Sequence, residues 1–260
     1  MIALTGEVVG TLQSVKGYNT YGNATGEILA AVCGTVDAVD SVVSIKTASS
    51  RYQGENGDVV VGRIKEVSGS RWKVELGAHQ DAVLNLANVT EPGGVLRRRG
   101  REDEIHMRQI FSEGDVVVCE VQRILPDGTV SLHTRSAEKY GKMAGGCLVI
   151  AKPQLVPKTR KHFYTLESCC PNVRVILGVN GYLWVSGTNM FDGNSTREDI
   201  ARVHNVLTLM NSKGKVLHMN HVEQIVAKSV QLGLTPWDMW TPQNSAALLV
   251  VKRARDGGPN

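Results

Sequence analysis

The densest concentration of binding chemistry in this 260-residue chain is the run Arg97-Arg98-Arg99, followed by Arg101 and Arg108. Guanidinium groups at that density suit bidentate contacts to phosphate or carboxylate oxygens. Three acids, Glu102, Asp103 and Glu104, follow closely and bring the segment near charge balance. Two uses therefore stand side by side: holding the backbone of a polyanion, or docking a protein partner. Lys158, Arg160 and Lys161 form a second patch with the same choice, and Lys65, Arg71 and Lys73 a sparser third. Gly178-Val179-Asn180-Gly181 offers chemistry of another kind, because two glycines let main chain approach a phosphate closely. Yet the Val-Asn pair between them brings no cation to that phosphate. The favoured alternative is local, with Asn180 bonding inside the protein and the loop locking one module against its neighbour.

Catalytic chemistry finds little support. His106, His133, His162 and His204 are scattered, and no carboxylate pair has a recognisable catalytic spacing. His162 with Cys169 and Cys170 matches no defensible zinc pattern. The expectation is of no enzyme, no metal, no cofactor and no small-molecule substrate. Five cysteines without a CxxC pair predict a reduced, intracellular chain. The start, MIALTGEVVG, does not read as a signal peptide, and no apolar run approaches the ~20 residues that span a bilayer. No membrane partner is expected. Lys and Arg exceed Asp and Glu by 29 to 25, a mild basic excess compatible with a polyanion but no proof of one.

The elements that must position these groups are short and β-rich. Glu7–Gly10, Glu27–Val32 and Asp40–Ile45 read as strands of a small N-terminal module, with Gly17–Gly22 as a turn carrying two tyrosines. Arg71–Leu76 alternates strictly: Trp72, Val74 and Leu76 share one face, Arg71, Lys73 and Glu75 the other. Trp72 is thus expected in a core rather than as a base-stacking platform, with Arg71 and Lys73 turned outward. Together with Asp58–Ile64, Ala82–Leu86, Gly114–Val121 and Thr129–His133 this makes five strands in about 80 residues, the count of an OB barrel. The arginine run sits in an insertion over residues 91–108, a turn leading to a short helical segment. Beyond Tyr140 the chain turns α/β. Strands are expected at Cys147–Ile150, Val173–Leu177 and Tyr182–Val185. A helix follows with Ser195 and Glu198 as a capping box and Ile200, Val203, Val206, Leu207 and Met210 as its apolar stripe. A second helix spans Asn220–Leu232 and ends before Gly233.

Several stretches carry a family resemblance: Arg51–Ile64, Arg71–Val74, Pro92–Arg108, Glu113–Val116, Asp127–Ser136, Lys139–Lys142, His162-Phe163 and Leu177–Val185. Through them the chain resembles the S1/KH cap subunits of the RNA exosome. Gly17–Tyr21 is similar to a short glycine-tyrosine motif in that family's N-terminal module. The resemblance implies a multi-domain chain, β then α/β: a small N-terminal β module over 1–54, an S1-type OB barrel over 55–137 and a KH-type α/β domain over 138–260. It implies a non-catalytic cap on a ring-shaped 3′-to-5′ RNA-degrading assembly, in nucleus (including the nucleolus) and cytoplasm. Its partners would be exosome ring subunits, other cap subunits and single-stranded RNA. RNA contacts are then expected from Lys65, Arg71, Lys73, Arg97, Arg98, Arg99, Arg101 and Arg108, with Gly178, Val179, Asn180 and Gly181 as an RNA or structural loop. Asn85 stands where the S1 pattern often has a histidine, and exposed aromatics are few. Phosphate contacts should therefore outweigh stacking.

Overall fold

The structure, a computed structural model, describes residues 2–11, 14–47, 50–90, 100–134, 139–188 and 194–249, the side chains of 194–196 excepted. Arg97, Arg98 and Arg99 lie outside these residues. The chain divides into two compact units, Met1–Ser50 and Arg51–Asn260.

The first unit is made wholly of short strands: β1 (Ile2–Ala3), β2 (Val8–Gly10), β3 (Val15–Lys16), β4 (Thr20–Gly22), β5 (Ile28–Ala30), β6 (Gly34–Val39) and β7 (Val42–Thr47). They form a four-stranded sheet, β1-β6-β7-β3, and a three-stranded one, β2-β5-β4, around Ala3, Ala30 and Ile45. The expected Gly17–Gly22 turn is half strand, because Thr20–Gly22 pairs with β5. Asn19 makes the turn at φ 60°, its amide donating to Ile45 O at 2.8 Å.

The barrel is built from β8 (Val59–Ser68), β9 (Arg71–Glu75), β10 (Ala82–Val89), β11 (Val116–Ile124) and β12 (Val130–Thr134). Pairing runs β12-β10-β9-β8-β11 and closes through β11–β12. Only the β10–β12 pair is parallel. Closure leaves these five strands without a free edge, which is how an OB barrel protects its backbone hydrogen bonds. Trp72 is fully buried, as its alternation with Val74 and Leu76 predicts. Its indole N–H donates to Phe111 O at 3.0 Å, and the two rings meet edge to face at 5.3 Å. Two short helices follow β10, α1 (Arg101–Ile105) and α2 (Met107–Ile110); Met107 of α2 and Phe111 just after it are buried in the barrel core, whereas α1 buries no residue.

Two boundaries differ from expectation. Tyr52 is buried in the barrel core and donates its hydroxyl to Asp58 Oδ2 at 2.6 Å, so the barrel unit starts at Arg51 rather than 55. At the other end β13 (Gly141–Met143) adds to β11, carrying the barrel sheet beyond 137.

The remaining sheet, β14-β17-β16-β15, is wholly antiparallel: β14 (Gly146–Ile150), β15 (Phe163–Leu166), β16 (Cys170–Leu177) and β17 (Tyr182–Gly187). Helices α3 (Asn194–Ser212) and α4 (Met219–Gln231) contribute Val203, Val206, Leu207, Val222, Ile225 and Val226 to the same core as Val175, Leu183 and Val185. The helix α3 begins at Asn194, one residue before the expected Ser195 cap. Gly233, at φ 62°, follows the end of α4 as its sequence position predicts. Strand β15 and a last helix, α5 (Pro242–Leu249), add to the elements expected.

Barrel and α/β module share an apolar seam. Val59, Val61, Val116 and Val118 from the barrel meet Ile176, Tyr182 and Trp184 from the sheet, all buried. Trp184 is therefore core, at the joint between the two modules.

Candidate nucleic-acid interface

The β16–β17 hairpin, Gly178-Val179-Asn180-Gly181, sits against the barrel beside the seam. Asn180 is 1% exposed. Its Oδ1 accepts the Val61 N–H at 3.2 Å, and its Nδ2 donates to Val61 O at 2.8 Å and Leu76 O at 2.9 Å. Val179 donates its N–H to Val59 O at 3.0 Å and buries its side chain in the barrel core. A Cβ at Gly178 would stand 2.5 Å from Tyr182 O, and one at Gly181 would stand 2.4 Å from Ala151 O. The glycines permit close approach, but it is the protein's own backbone that approaches. All four residues are buried, Val179 also forming part of the wall of a neighbouring cleft.

The cations expected to bind RNA are not gathered at one place. On the barrel, Lys65 pairs with Asp81 at 2.8 Å and Lys73 with Glu66 at 2.7 Å. The Asp81 carboxylate hydrogen-bonded to Lys65 holds that ammonium above its ordinary range. Arg71 is exposed beside Ser68 and Asn85, with no ion-pair partner among the described residues. Arg101 is exposed at the start of α1. Arg108 grips Glu113, Nη2 to Oε1 at 2.8 Å and Nε to Oε1 at 3.1 Å, and so keeps that carboxyl below its usual range. Three of these five cations are compensated in place, and surface pairs of this kind leave little net field.

Beside the hairpin, whose Val179 forms part of the wall, the seam opens. A cleft of about 780 Å³ lies between the barrel and the sheet. Its rim carries Lys139, Lys158, Arg160 and Lys161, and Tyr140, His162 and Phe163 line it further in. The rings of Tyr140 and Phe163 meet edge to face at 5.9 Å. His162 Nδ1 lies 3.1 Å from Leu177 O, the tautomer that donates there leaving Nε2 free to accept. Two acids, Asp58 and Glu120, also line the cleft. Asp58 Oδ2 takes the Tyr52 hydroxyl and the Glu55 N–H at 3.0 Å, while Glu120 faces Tyr140 Oη at 3.4 Å and His133 Nε2 at 4.0 Å. Lys158 forms an ion pair with Glu55 across the mouth. Sequence reading found the Lys158–Lys161 patch but not the aromatic pair or the cleft. The available signal was cation next to aromatic, twice: Lys139-Tyr140 and Lys161-His162-Phe163.

All five cysteines are free thiols. Burial pushes Cys119 and Cys170 up to about 12, so both stay protonated and chemically quiet. Among the described residues no three His, Cys, Asp or Glu side chains converge as a metal site, and no helix is long and apolar enough to cross a membrane.

A closed five-stranded barrel sealed onto an α/β module defines a class, the S1/KH nucleic-acid-binding proteins. Residues 51–123 match the family model described as RRP4, S1 domain, and residues 146–190 one described as KH domain. The chain is 41% identical over 217 residues to exosome complex component RRP4 of Mus musculus, covering 78% of this chain and 72% of that one. It is 45% identical over 177 residues to exosome complex component rrp4 of Schizosaccharomyces pombe, covering 68% and 52%. The chain belongs to the Rrp4 family of exosome complex components. It spans about half to three quarters of the length of these relatives. A solved structure assigned to an exosome complex RNA-binding protein shares the fold, with a TM-score of 0.53 at 19% identity, covering 71% of this chain and 99% of that one.

Proposed function

We propose that this chain is a non-catalytic RNA-binding cap subunit of an exosome-like 3′-to-5′ RNA-degrading complex. In this role it guides single-stranded RNA toward the ring and braces ring subunits during RNA processing and decay, rRNA included, in nucleus and cytoplasm. The observation that carries the proposal is the fusion of barrel and KH module into one body through a buried, fully bonded Asn180. Two recognition modules with a fixed mutual geometry suit a collar, which must present one unchanging surface to a ring and another to a strand. Arg71 and Arg101, exposed and unpaired among the described residues, together with Arg97, Arg98 and Arg99 of the insertion, are the barrel-side contacts in this reading.

A second reading is favoured by the ion pairs of Lys65, Lys73 and Arg108: a chiefly structural clamp on the ring with little direct RNA contact. Purification of the tagged chain with identification of co-purifying subunits tests what the two readings share. Recovery with ring subunits is expected, and recovery as a lone monomer overturns both. RNA affinity against salt then separates them. Several phosphate contacts give a steep log–log slope, whereas a clamp gives no measurable binding.

A further inference from the structure

We infer that the cleft between barrel and KH sheet holds the sugar-phosphate backbone of single-stranded RNA, Arg160 and Lys161 meeting phosphates above a Tyr140–Phe163 floor. The inference rests on the RNA-binding reading above and gives it a site. Charge comes first. Four cations rim the cleft against two acids, Asp58 and Glu120, and both acids are engaged inward by Tyr52, the Glu55 N–H, Tyr140 and His133. Lys158 is paired with Glu55, but Lys139 and Arg160 have no ion-pair partner among the described residues. Lys161 lies over the Tyr164 ring with its Nζ 5.0 Å from the centroid, a contact that leaves its N–H donors open to an anion. The rim therefore keeps a net positive field, which the barrel face of Lys65 and Lys73 does not.

Shape and chemistry agree with the charge. The volume of about 780 Å³ falls within the span of ligand clefts. An aromatic floor beneath a cationic rim is what sequence-tolerant single-strand binding needs, since every nucleotide offers a phosphate and a π-face. Both walls belong to one body sealed by the apolar seam, so binding need not first order the site. A second groove, beside α3 and α4, is lined by Trp237, Trp240, Pro236 and Leu234 with two arginines. Arg202 is engaged by Ser229 Oγ and Leu234 O, and Arg197 sits beside Glu198, so fewer cations are open to an anion there.

The test uses the whole chain and a labelled oligouridine of ~16 nucleotides, titrated at several salt concentrations. Arg160→Glu with Lys161→Glu, both at exposed positions, is expected to weaken binding at least ~10-fold and to lower the salt slope by about 1.4, the share of two single-strand phosphate contacts. Lys65→Glu with Lys73→Glu is expected to change affinity less than ~3-fold. The milder Arg160→Gln with Lys161→Gln should fall between, and an unchanged urea midpoint for it shows that the fold is intact. Wild-type affinity and slope in both cleft variants overturn the inference while leaving the RNA-binding reading standing. So does a cleft variant that keeps RNA but no longer co-purifies with ring subunits, which makes the cleft a protein interface. Absence of salt-dependent binding in the wild type removes the RNA-binding reading itself.

Discussion

Two neighbouring parts of the barrel–KH joint, the hairpin and the cleft whose wall its Val179 completes, use opposite chemistry. In the hairpin, Gly178–Gly181 is buried and uncharged, with the Asn180 side chain bonded at three points to barrel backbone. On the cleft rim, Lys158–His162 is exposed or half-exposed, cationic and only partly paired. The hairpin has the sequence form of a phosphate clamp, whereas the cleft has no named motif at all. The difference shows what a glycine pair specifies. It allows something to come close, and the residues between the glycines decide what. A cation there would call for a phosphate. Val-Asn supplies an apolar plug and an amide that matches a strand's own N–H and C=O.

The largest expected effect comes from breaking the hairpin. Asn180→Asp keeps the acceptor for the Val61 N–H but sets a carboxylate against the carbonyls of Val61 and Leu76 in a buried site. Unsatisfied and repelled groups of this kind cost about 3 kcal/mol together. Urea unfolding at neutral pH should show that loss as a lower midpoint with little change in slope. A cost under ~1 kcal/mol would mean that Asn180 is not the rivet and that the two parts are not as different as their geometry makes them.

How much of this was legible depended on the range of the interaction. Trp72 declares its burial through strict alternation with Val74 and Leu76 over six residues. The hairpin's structural use can be read from the two residues between its glycines. Both signals are local. The compensation of Lys73 by Glu66 is set by cross-strand register, and Lys65 sits where that register shifts, between Ile64 and Glu66. Strands β13 and β15 are three and four residues long, too short for a period to show. The cleft needs Asp58, Glu120, Tyr140 and Arg160 to meet from four separate segments, and spacing along the chain holds no trace of that. Helix α5 did leave a signal, Thr241-Pro242, with proline at the first helical position. Its polar opening turn masked it.

Of intermediate size is the effect of the pair that ties β13 to the barrel beside the cleft. Asp115 Oδ2 meets Lys142 Nζ at 2.7 Å and accepts from Ser112 N at 2.9 Å and Ser112 Oγ at 3.0 Å. Burial opposes ionisation of Asp115, but Lys142 and Ser112 outweigh it and hold the carboxyl below its ordinary 3.8. The folded state thus takes up this proton less readily than the unfolded chain. The stabilisation is complete above the ordinary value and is lost as pH falls below it. Asp115→Asn should cost about 1 kcal/mol at pH 7 and progressively less as pH falls below 3.8, relative to wild type under the same conditions. A gap that stays constant with pH would assign the role of Asp115 to its hydrogen bonds with Ser112 rather than to the charge of Lys142.

The smallest expected effect bears on the cleft alone. Glu55 and Lys158 pair across its mouth with both side chains well over half exposed, at 65% and 59%. An exposed pair contributes at most ~0.5 kcal/mol, so Glu55→Gln should leave the urea midpoint nearly where it is. It should, however, remove a negative charge from the rim and release Lys158 to the cleft, raising oligouridine affinity about 2-fold at low salt and less at high salt. The sign matters more than the size. Stronger binding with unchanged stability separates a rim that attracts phosphate from a rim that merely staples two modules together. Weaker binding or a lower midpoint would make Lys158–Glu55 a second rivet, and the cleft would then resemble the hairpin it is set against.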